Sequence, residues 1–196
     1  MLGKTSLWAT WRPKTGAAAG SSALWWGILI ALFFGFWGLR SIGANNIVDT
    51  DGARHAMNGA FLHDFVARGK LTGIVQYAWT YYAHLPALSM PYHPPLFPAI
   101  EAAFFFLFGV NVLAARIAIA CAVALSAILF FRLVIATHGS VAIAALSTTT
   151  FLSLPYSLWL SSDVMLEFPA LVFMLLTAVF TMLICEHDEG HEAAAH

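Results

Sequence analysis

Charged residues are scarce in this sequence. Asp, Glu, Lys and Arg make up only 10% of the 196 residues, whereas 60% are hydrophobic. A soluble domain of this size needs far more polar surface to cover its core, so the composition indicates a multi-pass membrane protein. The net charge of −1 leaves no basic surface for nucleic acid, which excludes nucleic acid as a partner.

Cysteine and the common nucleotide-binding motifs are also scarce. Cys121 and Cys185 both fall inside apolar runs, where a thiol behaves as a small hydrophobic side chain. The sequence has no Walker loop, no dinucleotide glycine motif and no Cys-x-x-Cys pair. These absences argue against nucleotide-dependent enzymes and against cysteine-based metal or redox sites.

The apolar runs predict an all-α, polytopic protein with about four transmembrane helices. Residues 1–16 are basic and, by the positive-inside rule, cytoplasmic. Residues 17–40 form a first membrane helix, which we read as a retained anchor. Four further apolar runs complete a membrane module over residues 17–185, and a polar tail follows at 186–196. The runs cover residues 95–109, 112–135, 139–158 and 164–185.

Residues 41–111 are predicted to be an outer loop with interfacial helices. Ser41–Asn46 is a turn, after which Asp49 or Thr50 caps a helix that starts at Asp51 and ends at Gly69. Its spacing indicates an amphipathic helix with Asp51, His55 and Asn58 on the polar face. A second interfacial segment covers Ile74–Leu85, and the prolines of Met90–Pro98 predict a rigid extended turn.

The position of two acidic residues depends on how many runs cross the membrane. Residues 95–109 are too few to span a ~30 Å core, so we expect a partly embedded helix there. Arg132 and His138 then lie in a cytoplasmic turn, in agreement with the positive-inside rule. With this number of membrane crossings, Asp163 lies on the outer face beside Asp51. Ionisable groups that border lipid are costly, which favours a functional role for this pair.

Four motifs in order make the chain similar to a known superfamily. They are Asp51-Gly-Ala-Arg-His-Ala, His93-Pro-Pro-Leu-Phe-Pro, Leu107-Phe-Gly-Val-Asn-Val-Leu-Ala-Ala-Arg116 and Ser162-Asp-Val-Met-Leu-Glu-Phe. Over about residues 48–175 the chain resembles the N-terminal portion of GT-C glycosyltransferases, in the protein O-mannosyltransferase and aminoarabinose transferase branch.

The resemblance implies transfer of a sugar from a polyprenyl-phosphate carrier to an acceptor hydroxyl on the outer side of a bacterial-type plasma membrane. It implies that Asp51 is the general base and that Arg54 and Arg116 bind the departing lipid phosphate. His55 and His93 would make further contacts with the substrate or its phosphate. Asp163 would orient the acceptor, or join Asp51 in holding a divalent cation. The acceptor itself is not specified.

The sequence departs from the family pattern at several points. Gly52 stands where glutamate is common, His55 where tyrosine is frequent and His93 where lysine is frequent. The family also continues for several more membrane helices, so we expect this chain to be an N-terminal portion. The alternative is a non-catalytic membrane subunit or scaffold that binds a lipid phosphate or a partner subunit supplying the missing helices. A small transporter has less support, because no charged residue lies in the middle of a clear spanning helix.

Simpler structural roles stand beside these assignments. Asp51 and Asp163 are also placed to cap helices, and His55 to act as a hydrogen-bonding neighbour. Glu101 is expected either to pair with Arg116 or to face a water-filled cavity. Glu167, one turn after Asp163, is a second active-site acid or an ordinary interfacial charge.

Overall fold

The computed structural model describes residues 21–40, 47, 49–69, 71–90 and 92–194, with side chains described for all of these except 21, 183 and 185–194. Within them the chain forms eight α-helices and no strand, so the predicted all-α fold is confirmed. The helices are α1 (Ser21–Leu39), α2 (Thr50–Ala67), α3 (Ile74–His84), α4 (Leu96–Phe108), α5 (Val112–His138), α6 (Val141–Ser153), α7 (Pro155–Ser161) and α8 (Glu167–Ala194).

Two described helices are long and apolar enough to cross a membrane. They are α1 over Ser22–Leu39, with a mean hydropathy of 1.8, and α5, with 2.5. The pair α6 and α7 adds a third span if it is counted as one broken helix. The apolar part of α8, Glu167–Met182, is shorter, as is α4. The short α4 agrees with a helix that does not span, whereas the four predicted crossings stay a prediction.

Helix α5 is the centre of the bundle. It packs against α1, α4, α6, α7 and α8, and much of its contact surface is alanine, including the fully buried Ala114 and Ala115. Small side chains allow neighbouring helices to approach closely, which favours packing where no hydrophobic effect drives association. A hydrogen bond from Ser126 Oγ to the carbonyl of Phe168 (3.4 Å) adds a polar link between α5 and α8.

The run at 139–158 is not the continuous helix that its hydropathy indicates. The chain breaks between α6 and α7, and the two helix axes differ by 72°. Proline lacks the N–H that a continuous helix needs and disfavours helical backbone in the residue before it. Leu154 accordingly has an extended ψ of 138°, and Pro155 starts the new helix.

One boundary in the predicted outer loop also differs. The extended turn was expected to reach Pro98, but α4 begins at Leu96 and includes Pro98 in its first turn. Proline is tolerated there because the first N–H groups of a helix have no intrahelical partner. At its other end α4 stops at Gly109, whose φ of +79° suits glycine.

The polar face predicted for α2 is wrong in part. His55 and Asn58 are buried, at 5% and 0% exposure, while Asp51 is exposed. The reason is that α4 and the segment before it lie against this side of α2. The two helices run in the same direction, since Gly59 contacts Glu101 and the ring of His63 lies 4.4 Å from that of Phe106.

The remaining predictions fall at the ends of elements. Asp49 caps α2 as expected, and α3 ends one residue before the predicted boundary. Helix α8 continues to Ala194, through most of the segment predicted as a polar tail. The predicted cytoplasmic segment 1–16 and the turn Ser41–Asn46 lie outside the described residues.

Substituting Gly59 tests the contact between α2 and α4. A Cβ at this position would lie 2.5 Å from Glu101 Oε2 and 2.9 Å from Glu101 Cβ. Alanine normally stabilises a helix interior relative to glycine by about 0.5–1 kcal/mol. We expect Gly59→Ala instead to destabilise the protein by about 1–3 kcal/mol through overpacking, measured as a lower thermal midpoint in nanodiscs.

A second substitution identifies the clashing group. In the double variant Gly59→Ala, Glu101→Ala we expect most of the lost stability to return, because the added methyl group then occupies the space of the removed carboxyl. A single variant more stable than the wild type would contradict the close contact.

Candidate functional site

The N-terminus of α2 is fixed by a buried carboxylate from the far end of the chain. The Asp49 N–H donates a hydrogen bond to Asp163 Oδ2 at 2.8 Å, and the Val164 N–H donates to Oδ1 at 2.8 Å. Asp163 is only 3% exposed. Both of its oxygens therefore satisfy backbone N–H groups, which ties the segment before α8 to the first turn of α2.

This arrangement presents Asp51 to the exterior. The Asp51 N–H donates to the capping oxygen of Asp49 at 2.8 Å, while the Asp51 carboxylate is 58% exposed. Its Oδ1 accepts a hydrogen bond from Arg54 Nη1 at 3.0 Å. Asp163, Asp49 and Asp51 thus form a chain of contacts from the core to an accessible acid, so the structure brings the two predicted acids together through Asp49.

The close packing here explains glycine at position 52. A Cβ on Gly52 would lie 2.8 Å from Ile47 Cγ2 and 3.0 Å from Asp163 Oδ1. A side chain at this position would have to displace Ile47 Cγ2 and would press against the buried carboxylate of Asp163. A glutamate, which is common at this position in the resembling enzymes, would therefore require these neighbours to shift.

The proline-rich segment is held onto α2 by a polar network. Asn58 Nδ2 donates to Ser89 Oγ and Asn58 Oδ1 accepts from the Ser89 N–H, both at 3.0 Å. Ser89 Oγ lies 3.4 Å from His93 Nδ1. The His93 ring in turn meets the His55 ring edge-to-face, with 4.6 Å between centroids. His55 lies one helical turn after Asp51 on α2, so its contact with His93 places His93 about one turn from Asp51.

The environment of His55 favours a neutral ring. Burial and, to a smaller extent, the neighbouring His93 lower the pKa of His55, since both disfavour its charged form. Near pH 7 His55 therefore offers hydrogen bonds rather than a positive charge. Arg54, at 54% exposure, is the accessible cation next to Asp51.

An apolar groove of about 270 Å³ opens on the face of α2 opposite His55. It begins near the first turn, where Ala53 stands between Asp51 and Arg54 in sequence, and extends along α2 to Ala60. Its walls come from α2, the end of α4 and the start of α5. They are formed by Ile47, Ala53, Ala56, Met57, Ala60, Phe105, Val110, Asn111 and Val112.

The comparison with known families decides the relationship. The family model of dolichyl-phosphate-mannose-protein mannosyltransferases matches residues 80–192, more than half of the chain. The chain belongs to this mannosyltransferase family. No curated protein matches the chain, and no solved structure does.

The match to the mannosyltransferase family includes three of the predicted site residues. His93, Arg116 and Asp163 lie inside the matched range, whereas the α2 residues Asp51, Arg54 and His55 precede it. Arg116 lies in the first turns of α5 and is 4% exposed, so it is set deeper than Arg54. The site thus unites residues of α2 with the part of the chain that carries the family signature.

The predicted ion pair between Glu101 and Arg116 is not formed. Glu101 is fully buried, and neither of its oxygens has a hydrogen-bond partner among the described residues. The predicted divalent cation also gains no support, because the described part of the chain brings together no group of three or more His, Cys, Asp or Glu that could hold a metal. Glu167 is exposed at the start of α8.

Sequence reasoning missed two structural members of this candidate site. Asp49 was expected only as a cap, but its N–H also donates a hydrogen bond to Asp163 Oδ2. Ser89 was not singled out, although it binds Asn58 through both backbone and side chain. Asn58 was expected on the polar face of α2, so its spacing gave no signal of a buried partner.

Asp163→Asn tests the tie between the two ends of the site. The amide group would replace one acceptor with a donor that faces a backbone N–H, leaving that N–H unpaired. We expect a loss of stability of about 1–3 kcal/mol. Amide hydrogen exchange in the first turn of α2 should become faster, as measured by mass spectrometry.

The matched control is Glu167→Gln, which removes a charge from the exposed acid four residues later. Exchange in α2 is expected to stay at the wild-type rate in this control. Equal exchange in wild type and Asp163→Asn would show that Asp163 does not hold α2.

Proposed function

We propose that this chain acts in a glycosyltransferase reaction that moves mannose from a polyprenyl-phosphate carrier to an acceptor hydroxyl at the outer face of the plasma membrane. Its membership of the mannosyltransferase family supports the reaction type. The observation that carries the proposal is the exposed Asp51, held at the start of α2 by the buried Asp163 and paired with Arg54.

Asp51 is the general base in this proposal. The acceptor oxygen attacks the anomeric carbon of the sugar while its proton moves to the Asp51 carboxylate. The bond between the anomeric carbon and the phosphate oxygen breaks, and the lipid phosphate leaves with the bonding electrons. A positioned base of this kind contributes about 10²–10⁴-fold to the rate.

Arg54 stabilises the leaving phosphate. Its guanidinium lies beside Asp51 and is half exposed, so the same cation can hold the carboxylate before the reaction and the developing phosphate charge during it. His93 and the neutral His55 supply hydrogen bonds to the substrate. Asp163 acts as a positioning residue, since both of its oxygens bind backbone N–H groups. We assign Arg116 a supporting role at the phosphate because it is more deeply buried.

The fold supports an outer location for this site. Arg132 and His138 lie towards the end of α5 that is remote from Asn111, which lines the groove next to α2. Positive residues favour the cytoplasmic side, so the end with Asp51 faces outward. The apolar groove beside Ala53 receives the first isoprene units of the carrier.

Asp51→Asn tests the base. In membranes that contain the protein we expect transfer of labelled mannose from polyprenyl-phosphate-mannose to a peptide acceptor to fall by at least 10²-fold. Asp64→Asn is the matched control, because Asp64 lies on the same helix beyond the site and binds Tyr81. It is expected to keep wild-type activity.

The outcomes of this assay separate the two parts of the proposal. Transfer retained in Asp51→Asn would remove Asp51 from the base role and leave the transferase function intact. No transfer by the wild type with any polyprenyl-phosphate sugar would overturn the function and favour the non-catalytic subunit.

Ala53→Leu tests the groove. The larger side chain fills part of the apolar space, so we expect the KM for a long-chain donor to rise several-fold with a smaller change in kcat. A donor with a single isoprene unit should be affected less. Val66→Leu, at an exposed position on α2, is the control. An equal rise in KM for both donors would place the isoprenoid elsewhere.

A further inference from the structure

Glu101 is a buried acid that the proposed reaction does not use. Its side chain is completely buried in α4, and both carboxyl oxygens lack hydrogen-bond partners among the described residues. A buried carboxylate without a partner is very costly, whereas the protonated acid is much less so. The position therefore favours the neutral form.

The contact surface of α2 is shaped for this neutral carboxyl. Gly59 leaves space against which Glu101 packs, with Oε2 only 2.5 Å from where a Cβ would be. Phe97, Pro98 and Phe105 are buried on the same side of α4. An ionised carboxylate in this apolar contact can regain water only if the two helices separate.

The charged and titratable groups on the helices packed against α4 do not stabilise a negative charge on Glu101. Helix α2 brings His55 and His63, and His63 Nδ1 pairs with Asp64 Oδ1 at 2.9 Å. Helix α5 brings Arg116, and His93 lies on the preceding segment. None of these groups hydrogen-bonds Glu101. Burial alone raises the pKa of Glu101 to about 9 from its ordinary value of 4.5.

We propose that Glu101 is a pH-sensitive clamp: the protonated side chain holds α2 against α4 at Gly59, and its ionisation releases α2. Because Asp51 lies in the first turn of α2, release of α2 loosens the site there. The clamp is a property of the helix pair and does not depend on which reaction the site performs.

The sign of the pH dependence follows from the proton balance. Between pH 4.5 and about 9 the unfolded chain has lost the Glu101 proton while the folded protein retains it. The contribution of Glu101 to stability therefore falls as pH rises through this window and becomes constant above it. A neutral residue at this position removes that dependence.

The first experiment compares the thermal midpoints of wild type, E101Q and the exposed control E167Q in nanodiscs from pH 5 to 10. We expect wild type and E167Q to lose stability as pH rises, whereas E101Q matches the wild type near pH 5 and becomes the more stable protein near pH 9. Parallel curves for wild type and E101Q would overturn the proposal.

The second experiment measures separation of the helices in the otherwise unaltered site, and it does not require E101Q to fold. Nitroxide labels are placed at the exposed positions Val66 on α2 and Leu107 on α4, with Cys121 and Cys185 replaced by serine. We expect the distance between the labels to increase reversibly above pH 9. An unchanged distance at pH 10 would overturn the clamp, and neither result bears on whether the chain transfers sugars.

Discussion

The structure depends on the burial of one carboxylate, Asp163, beneath the first turn of α2. A buried charge is stable only when its oxygens are satisfied, and here two backbone N–H groups satisfy them. The bond from Asp49 joins residues 114 positions apart in sequence. Without them, little besides packing against α4 would fix the direction in which α2 starts, and with it the position of Asp51.

Helix α2 accommodates two acids by the same means. Gly52 and Gly59 are seven residues apart, hence on nearly the same face of the helix, and each leaves space for a carboxyl group, from Asp163 and Glu101 respectively. The two environments differ in hydrogen bonding. Asp163 meets N–H donors, whereas the described surroundings of Glu101 provide none. Asp163 is thus a fixed link between two segments of the chain, whereas Glu101 keeps its place between the helices only while it is protonated.

Much of the fold was predictable because hydropathy and capping act locally. The cap of α2 at Asp49, its end near Gly69, and the short α4 all followed from residue type and run length. Burial of His55 and Asn58 was not predictable, since it depends on which helix lies against α2. The break before Pro155 interrupts an apolar run whose hydropathy is continuous. For the site, the proximity of Asp51 and Asp163 could be anticipated from helix parity, but the intermediate role of Asp49 could not.

The bend at Pro155 has a consequence for the path of the chain. Helix α5 leaves the neighbourhood of α2 at Asn111 and extends about 40 Å, at 1.5 Å per residue over its 27 residues. By Asp163 the chain is back at Asp49, so α6, α7 and the segments that join them return it towards the end of α5 at which that helix begins. A turn that dipped in and withdrew on the same side would leave Asp163 far from its partner. The bend therefore lies on this return path. Leu154 and Tyr156 on either side of Pro155 are exposed at the surface of the described bundle, while α7 contacts α1, α5 and α8.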